Sequence, residues 1–237
     1  MIESQWLKIN DKSIHYVTAG SGFPLILLHG GANDWREWDK NIDILSRHYH
    51  VIAPDIIGFG KSDRLNGVYR VKDFVDFMAG MASELSIEKM HLAGHSLGGM
   101  IGLEYACRYP QKVVKLIPVA PYGLGKLSPR GLMIGAAFYW ARRLLMRRNP
   151  YPSLDLDYSK AGFERFLENL KGLDVPAMVV WGQKDPYLPV HQAYLAHSVL
   201  PNSKFEVMLG CGHAPQKSDS DRFNQLVIDF LGDGKVD

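Results

Sequence analysis

Met90-His-Leu-Ala-Gly-His-Ser-Leu-Gly-Gly99 is the stretch whose reading decides this chain. Its opening run, Met90–Ala93, has the near-continuous apolar character of a strand buried on both faces. Gly94-His95-Ser96-Leu97-Gly98 then matches the G-x-S-x-G pattern, and Leu97–Tyr109 continues with helix-compatible residues until Pro110 stops it. A strand that turns sharply into a helix pushes its turn residue outward, and only small neighbours leave the backbone room to pass. The pattern alone would arise by chance in roughly one chain in ten of this length. The strand before it and the helix after it make Ser96 the expected nucleophile. The competing reading is a purely structural glycine turn.

Working outward, similar apolar runs stand at Pro24–His29, His50–Ala53, Val113–Val119, Ala177–Trp181 and Phe205–Met208. Helical patterns fall between them, over Val71–Leu85, His191–Leu200 and Arg222–Leu231. Asp34-Trp-Arg-Glu37 reads as a capping box that opens another helix towards Ser46. Alternation of this kind predicts an α/β fold, a mostly parallel central sheet with helices on both faces and right-handed crossovers. At the N-terminal end, Gln5–Ile9 and Lys12–Ala19 alternate apolar and polar residues around Asn10-Asp11, as an antiparallel hairpin does. Between Pro121 and Gly172 the strand pattern lapses, leaving helical segments near Arg130–Arg148 and Ser159–Lys171. The expectation is a core domain over 1–120 and 173–237, with 121–172 inserted as a short helical lid.

A serine hydroxyl needs a base, because it is a poor nucleophile at neutral pH. Nine histidines compete. His213 follows the last expected strand, Phe205–Met208, so its loop reaches the same rim of the sheet as the Ser96 turn. His29 also follows a strand, but it precedes Gly30-Gly31 and reads as a loop-shaping residue. The base needs an acid to orient it and to stabilise its charged form. Asp185, in Trp181-Gly-Gln-Lys-Asp185 directly after a strand, meets that requirement, whereas Val119-Ala-Pro-Tyr122 has no carboxylate to offer. Asp55, ahead of Ser96 in the chain, reads as a turn former. The tetrahedral oxyanion of acyl transfer requires backbone donors. Leu97, at the start of its helix, and Gly31, in the loop after Pro24–His29, are the expected ones. The same loop also reads simply as a tight strand-to-helix connection.

Composition narrows the function classes. The 237 residues are 46% hydrophobic and 22% charged, with a formal net charge of +2. That charge is too small to point to nucleic acid as a partner, so a small-molecule substrate is expected. Two cysteines form no disulfide framework, and no zinc, dinucleotide or phosphate-loop signature implies a metal or cofactor. Gly60-Lys61-Ser62 resembles the end of a phosphate loop, but Asp55 stands where that loop needs glycine. No signal peptide and no bilayer-length apolar run is visible, which gives the cytoplasm as the expected location. The run Gly131–Trp140, beside Arg142, Arg143, Arg147 and Arg148, admits three readings: an acyl pocket, a weak lipid-interface contact, or a homodimer contact. A helix packed on the core with a solvated basic face is the plainer alternative. Phe138, Trp140 and Tyr122 are the expected pocket residues.

His29-Gly30-Gly31, Asp55 with Gly58-Phe-Gly60-Lys-Ser62, Gly94–Gly99, Gly182-Gln-Lys-Asp185 and Gly212-His213 together resemble the landmarks of the α/β-hydrolase superfamily over nearly the whole chain. The resemblance implies Ser96 as nucleophile, His213 as base, Asp185 as orienting acid, and the Gly31 and Leu97 amides as oxyanion hole. Serine as the nucleophile differs from haloalkane dehalogenases and epoxide hydrolases, which use aspartate. From Ile26 to Gly123 the chain is similar to carbon–carbon bond hydrolases of ring-cleavage products. It departs from them at His95 and Ala214, where they usually carry asparagine and tryptophan. The implied activity is therefore a serine carboxylesterase acting on short to medium acyl chains. The same triad acting on a lactone, a thioester or a carbon–carbon bond, and a slow-turnover ligand receptor, are the alternatives.

Overall fold

Buried apolar runs become strands and the amphipathic stretches between them become helices in the computed structural model, which describes residues 1–147, 151–157 and 159–232. Arg148, the last of the arginines grouped above, lies outside the described residues. In chain order the elements begin β1 (Glu3–Ile9), β2 (Lys12–Ala19) and β3 (Pro24–Leu28). A 3₁₀ turn (Trp35–Trp38) leads into α1 (Asp39–Leu45), followed by β4 (His50–Pro54), β5 (Val68–Arg70) and α2 (Val71–Glu84). Then come β6 (Met90–His95), α3 (Leu97–Arg108), β7 (Val113–Val119), α4 (Pro129–Met146), β8 (Ser153–Asp155) and α5 (Lys160–Lys171). The chain closes with β9 (Ala177–Gly182), α6 (His191–Val199), β10 (Ser203–Met208), α7 (Pro215–Ser218) and α8 (Ser220–Leu231).

Eight strands form one sheet in the order β1-β2-β4-β3-β6-β7-β9-β10. β1 and β2 pair antiparallel through Ile9↔Lys12, with Asn10 in the left-handed region at φ 55°, the tight hairpin that the Asn-Asp pair predicts. From β4 to β10 every neighbouring pair is parallel. Successive side chains of a strand point to opposite faces, and β3 shows the consequence. Ile26 and Leu28 join the core shared with α2, α3, α5 and α6, while Leu25 and Leu27 join the one built with α1 and α8 around Trp38 and Phe223. Both faces are thus covered, which is why these strands read as unbroken apolar runs.

Two expectations need correction. Between Pro121 and Gly172 no strand pattern is visible, yet β8 pairs in parallel with β5 from Val68↔Ser153 to Arg70↔Asp155, forming a second, two-stranded sheet. All of β8 is exposed, so it carries no apolar periodicity to read. The Asp34–Glu37 capping box is only half formed. Asp34 accepts a hydrogen bond from Arg36 N, but the Glu37 carboxylate turns inward and accepts from Gly30 N instead. Gly30 N–H and a buried imidazole outcompete the helix start for that carboxylate. Within 121–172, α5 sinks Phe166 and Leu170 into the main core against α3 and α6. α4 differs, with Leu132, Met133, Phe138, Trp140, Leu144 and Leu145 all exposed.

Candidate active site

Ser96 sits at the turn between β6 and α3 with φ 51° and ψ −111°, a strained conformation for a residue with a side chain. The surrounding glycines make the turn feasible. A Cβ on Gly94 would lie 2.2 Å from the Gly98 carbonyl oxygen, and one on Gly98 would lie 2.4 Å from that of Leu28. Neighbouring backbone pins the strained residue from both sides: Ser96 N donates to Val119 O at 2.9 Å, and Tyr122 N donates to Ser96 O at 2.9 Å. Packing around the elbow therefore opposes a strain of about 1–3 kcal/mol.

The loops after β9 and β10 bring Asp185 and His213 together. His213 Nδ1 stands 2.7 Å from Asp185 Oδ2, and the carboxylate is fully buried. Its other oxygen accepts from Tyr187 N at 2.7 Å and Leu188 N at 2.9 Å, so the acid is held by its own loop. Lys184 N donates to Cys211 O at 2.8 Å and joins the two loops directly. With Nδ1 donating to the carboxylate, His213 Nε2 is left as the acceptor. Burial lowers His213 below the ordinary imidazole value, although its hydrogen bond to Asp185 pulls the other way.

Ser96, His213, Gly31 and Leu97 all line one cavity of about 560 Å³, within the range of small-molecule sites. An added Cβ on Gly31 would be 3.9 Å from the Leu97 side chain, so the segments that carry the two expected oxyanion donors pack against each other. Leu97 also begins α3, where first-turn N–H groups have no intrahelical partner. The far wall is largely apolar, with Leu127, Phe138, Leu154, Leu156 and Leu188 beside Tyr122 and Tyr151. Phe138 and Tyr122 both line this cavity. Trp140 does not line it: the residue is 62% exposed and its ring lies under Arg143. Among the described residues, no group of three His, Cys, Asp or Glu side chains could hold a metal ion.

α4 spans this cavity because both its ends are tied to site loops. Ser128 caps it, accepting from Gly131 N at 2.9 Å and donating to Pro186 O beside Asp185. Further along, Arg142 donates to Ala32 O at 2.6 Å, in the loop that carries Gly31.

The residues set aside as structural keep that role. His29 Nδ1 donates to Gly30 O at 2.7 Å and its Nε2 accepts from Ile56 N at 2.9 Å. Asp55 accepts from Trp35 N and Lys61 N and pairs with buried His15 at 2.9 Å. Sequence reasoning missed Glu37 and His95. Glu37 Oε1 lies 3.0 Å from His95 Nδ1, both side chains are almost wholly buried, and His95 Nε2 donates to His213 O at 2.8 Å. Burial works against the Glu37 charge, yet His95 and the Gly30 N–H outweigh it and hold the carboxyl down at about 2. His95 is raised: burial alone would lower it, and the Glu37 charge prevails. Glu37 and His95 are far apart in the chain, and no local pattern links them.

Comparison with known proteins agrees with this architecture. Residues 24–144 match the family described as alpha/beta hydrolase fold. An uncharacterised protein of Mycobacterium tuberculosis is 30% identical over 260 residues, covering 90% of this chain and 76% of the relative. The 2-hydroxy-6-oxononadienedioate/2-hydroxy-6-oxononatrienedioate hydrolase of Comamonas testosteroni is 29% identical over 286 residues, covering 98% of this chain and 97% of the relative. Among solved structures, a meta-cleavage product hydrolase from Pseudomonas fluorescens has a TM-score of 0.79 at 25% identity, covering 96% of this chain and 97% of its own. A carboxylesterase from Bacillus subtilis has a TM-score of 0.83 at 22% identity, covering 100% and 93%, a likeness of fold. The sheet order, the elbow and these matches lead to one conclusion: the chain belongs to the α/β-hydrolase family and is a hydrolase.

Proposed function

We propose that this hydrolase cleaves carboxylic esters of short to medium acyl chain through an acyl-enzyme on Ser96. The observation that carries the reading is one cavity lined by an elbow serine at φ 51° and by a histidine whose Nδ1 is 2.7 Å from a buried aspartate. Ser96 Oγ attacks the acyl carbon while His213 Nε2 takes its proton, and Asp185 stabilises the imidazolium that forms. The Gly31 and Leu97 amides stabilise the oxyanion. His213 returns the proton to the departing alcohol, then activates a water that releases the acid. No cofactor enters this scheme. Residues 121–172 act as a lid through α4, whose Phe138 with Tyr122 shapes the acyl side of the cavity. The apolar wall and the size of the cavity suit a modest acyl chain better than a polar substrate.

Steady-state hydrolysis of p-nitrophenyl esters from acetate to dodecanoate tests the proposal, with Ser96→Ala as control. Turnover that depends on Ser96 and peaks at short or medium chains is expected. Undiminished turnover in folded Ser96→Ala would refute it. A second reading, hydrolysis of a carbon–carbon bond in a ring-cleavage product, draws on the Comamonas testosteroni relative, which is similar over 98% of this chain. His95 and Ala214 set this chain apart from the pattern such enzymes resemble. Turnover of a 2-hydroxy-6-oxo-dienoate with no turnover of any ester would favour it.

A further inference from the structure

Three loops must hold their mutual positions for a site of this type to work: the loop after β3 with Gly31, the elbow with Ser96, and the loop after β10 with His213. A single buried pair touches all three. Glu37 Oε2 accepts from Gly30 N, next to the expected oxyanion donor, and Glu37 Oε1 accepts from Asn33 Nδ2 at 2.8 Å. On its other side Glu37 Oε1 is 3.0 Å from His95 Nδ1, and His95 directly precedes Ser96. His95 Nε2 completes the chain of contacts on the His213 carbonyl oxygen at 2.8 Å.

We infer that Glu37 and His95 are positioning residues, a buried ion pair that clamps the oxyanion loop, the elbow and the base loop together and balances the charge behind His213. The inference rests on the esterase reading only for the assignment of roles to Ser96, His213 and Gly31. Nε2–H is committed to a carbonyl and Nδ1 faces a carboxylate, so the donor requirements of the site call for the doubly protonated imidazole. The contact with Glu37 is close but poorly aligned for a hydrogen bond, which makes charge the main tie.

The pair also has an electrostatic consequence. The His95 ring centroid is 4.6 Å from that of His213, with the planes tilted by 58°. A cation at that distance disfavours protonation of His213, while the Glu37 and Asp185 carboxylates favour it. The charged and titratable groups around His95 are Glu37, His213 and Asp185, with His29 facing Glu37 from the end of β3. Because the cation and its anion act on His213 in opposite senses, their removal together should matter less to its titration than removal of the cation alone. A neutral polar pair of the same shape would support the loops without that asymmetry.

The test compares the full-length wild type with Glu37→Gln, His95→Asn and the double variant. The ring titrations of His95 and His213 are followed by NMR, and kcat and KM are measured on p-nitrophenyl acetate. In His95→Asn, His213 loses the opposing cation and keeps both carboxylates, so its midpoint should rise by about one pH unit. In the double variant it should return towards the wild-type value. In Glu37→Gln, which keeps the shape of the carboxylate, the His95 midpoint should fall and kcat should drop about 10- to 100-fold with little change in KM. An unmoved His213 midpoint in His95→Asn, or wild-type kcat and an unmoved His95 midpoint in Glu37→Gln, would overturn the inference. Should His95→Asn fail to fold, the Glu37→Gln readouts decide by themselves. The titrations need no substrate, so a wild type without ester turnover would remove the esterase reading and still leave the pair tested.

Discussion

Gly182, at the end of β9, and Gly212, just before His213, approach so closely that a Cβ on Gly182 would lie 1.9 Å from the Gly212 carbonyl oxygen. The loops bearing Asp185 and His213 therefore meet backbone to backbone. Gly182→Ala must push them apart, since no flexible side chain is there to yield. It should cost about 2–3 kcal/mol of stability and lower turnover. Thermal unfolding with ester kinetics checks this, and a variant with wild-type melting and turnover would show that the contact is soft.

Ser96 stores strain at the turn where the proposed mechanism places its nucleophile. Ser96→Gly relieves a φ of 51° and should raise stability by about 1 kcal/mol while abolishing turnover. Ser96→Ala removes the hydroxyl but keeps the strain, so its stability should stay near wild type. Denaturant unfolding of the two variants separates these effects. Equal stability of both would argue against strain at the elbow.

The proposed base sets a pH limit with a definite sign. In the proposed mechanism His213 must be neutral to accept a proton, and burial lowers it from 6.5 despite the attraction of Asp185. Activity should therefore persist below pH 6.5 and fall only as pH drops through the lowered His213 value. The same depression contributes stability that is present above 6.5 and lost as pH falls through the folded-state value. A kcat/KM profile measures the first effect, and an acid limb above pH 6.5 would contradict it.

The proposed acyl wall predicts a change of specificity. Phe138→Ala enlarges the cavity that Phe138 shares with Leu127, Leu154 and Leu156. The chain-length optimum should lengthen, with a loss of about tenfold in kcat/KM on the shortest ester. Trp140→Ala, altering a side chain outside the cavity, should leave the chain-length profile in place. The p-nitrophenyl series measured on both variants compares them directly.

Acid sensitivity gives a further check. Glu37 is held at about 2 against an ordinary 4.5, so it contributes stability present above 4.5 and lost as pH falls towards 2. Glu37→Gln should flatten the stability profile over that window. Unfolding midpoints measured from neutral to acid pH would show it, and an unchanged slope would count against a charged Glu37.

Much of this molecule is legible in one dimension because its signals are local. Strands buried on both faces need unbroken apolar runs such as Pro24–Leu28 and Ala177–Trp181, and the elbow needs small residues at fixed offsets around Ser96. The loops at the strands' carboxyl ends follow from the parallel topology, which is how Asp185 and His213 could be expected on one rim. What the tertiary structure alone decided depends on contacts between distant segments. Nothing near Glu37 indicates that its carboxylate leaves the helix start to meet His95, because the competing partners arrive from β3 and β6. The β5–β8 pairing is hidden for the same reason, as an exposed strand has backbone partners but no apolar face to announce it. Which residues of α4 meet the cavity likewise depends on the anchors at Ser128 and Arg142: Phe138 lines it while staying half exposed, and Trp140 does not line it.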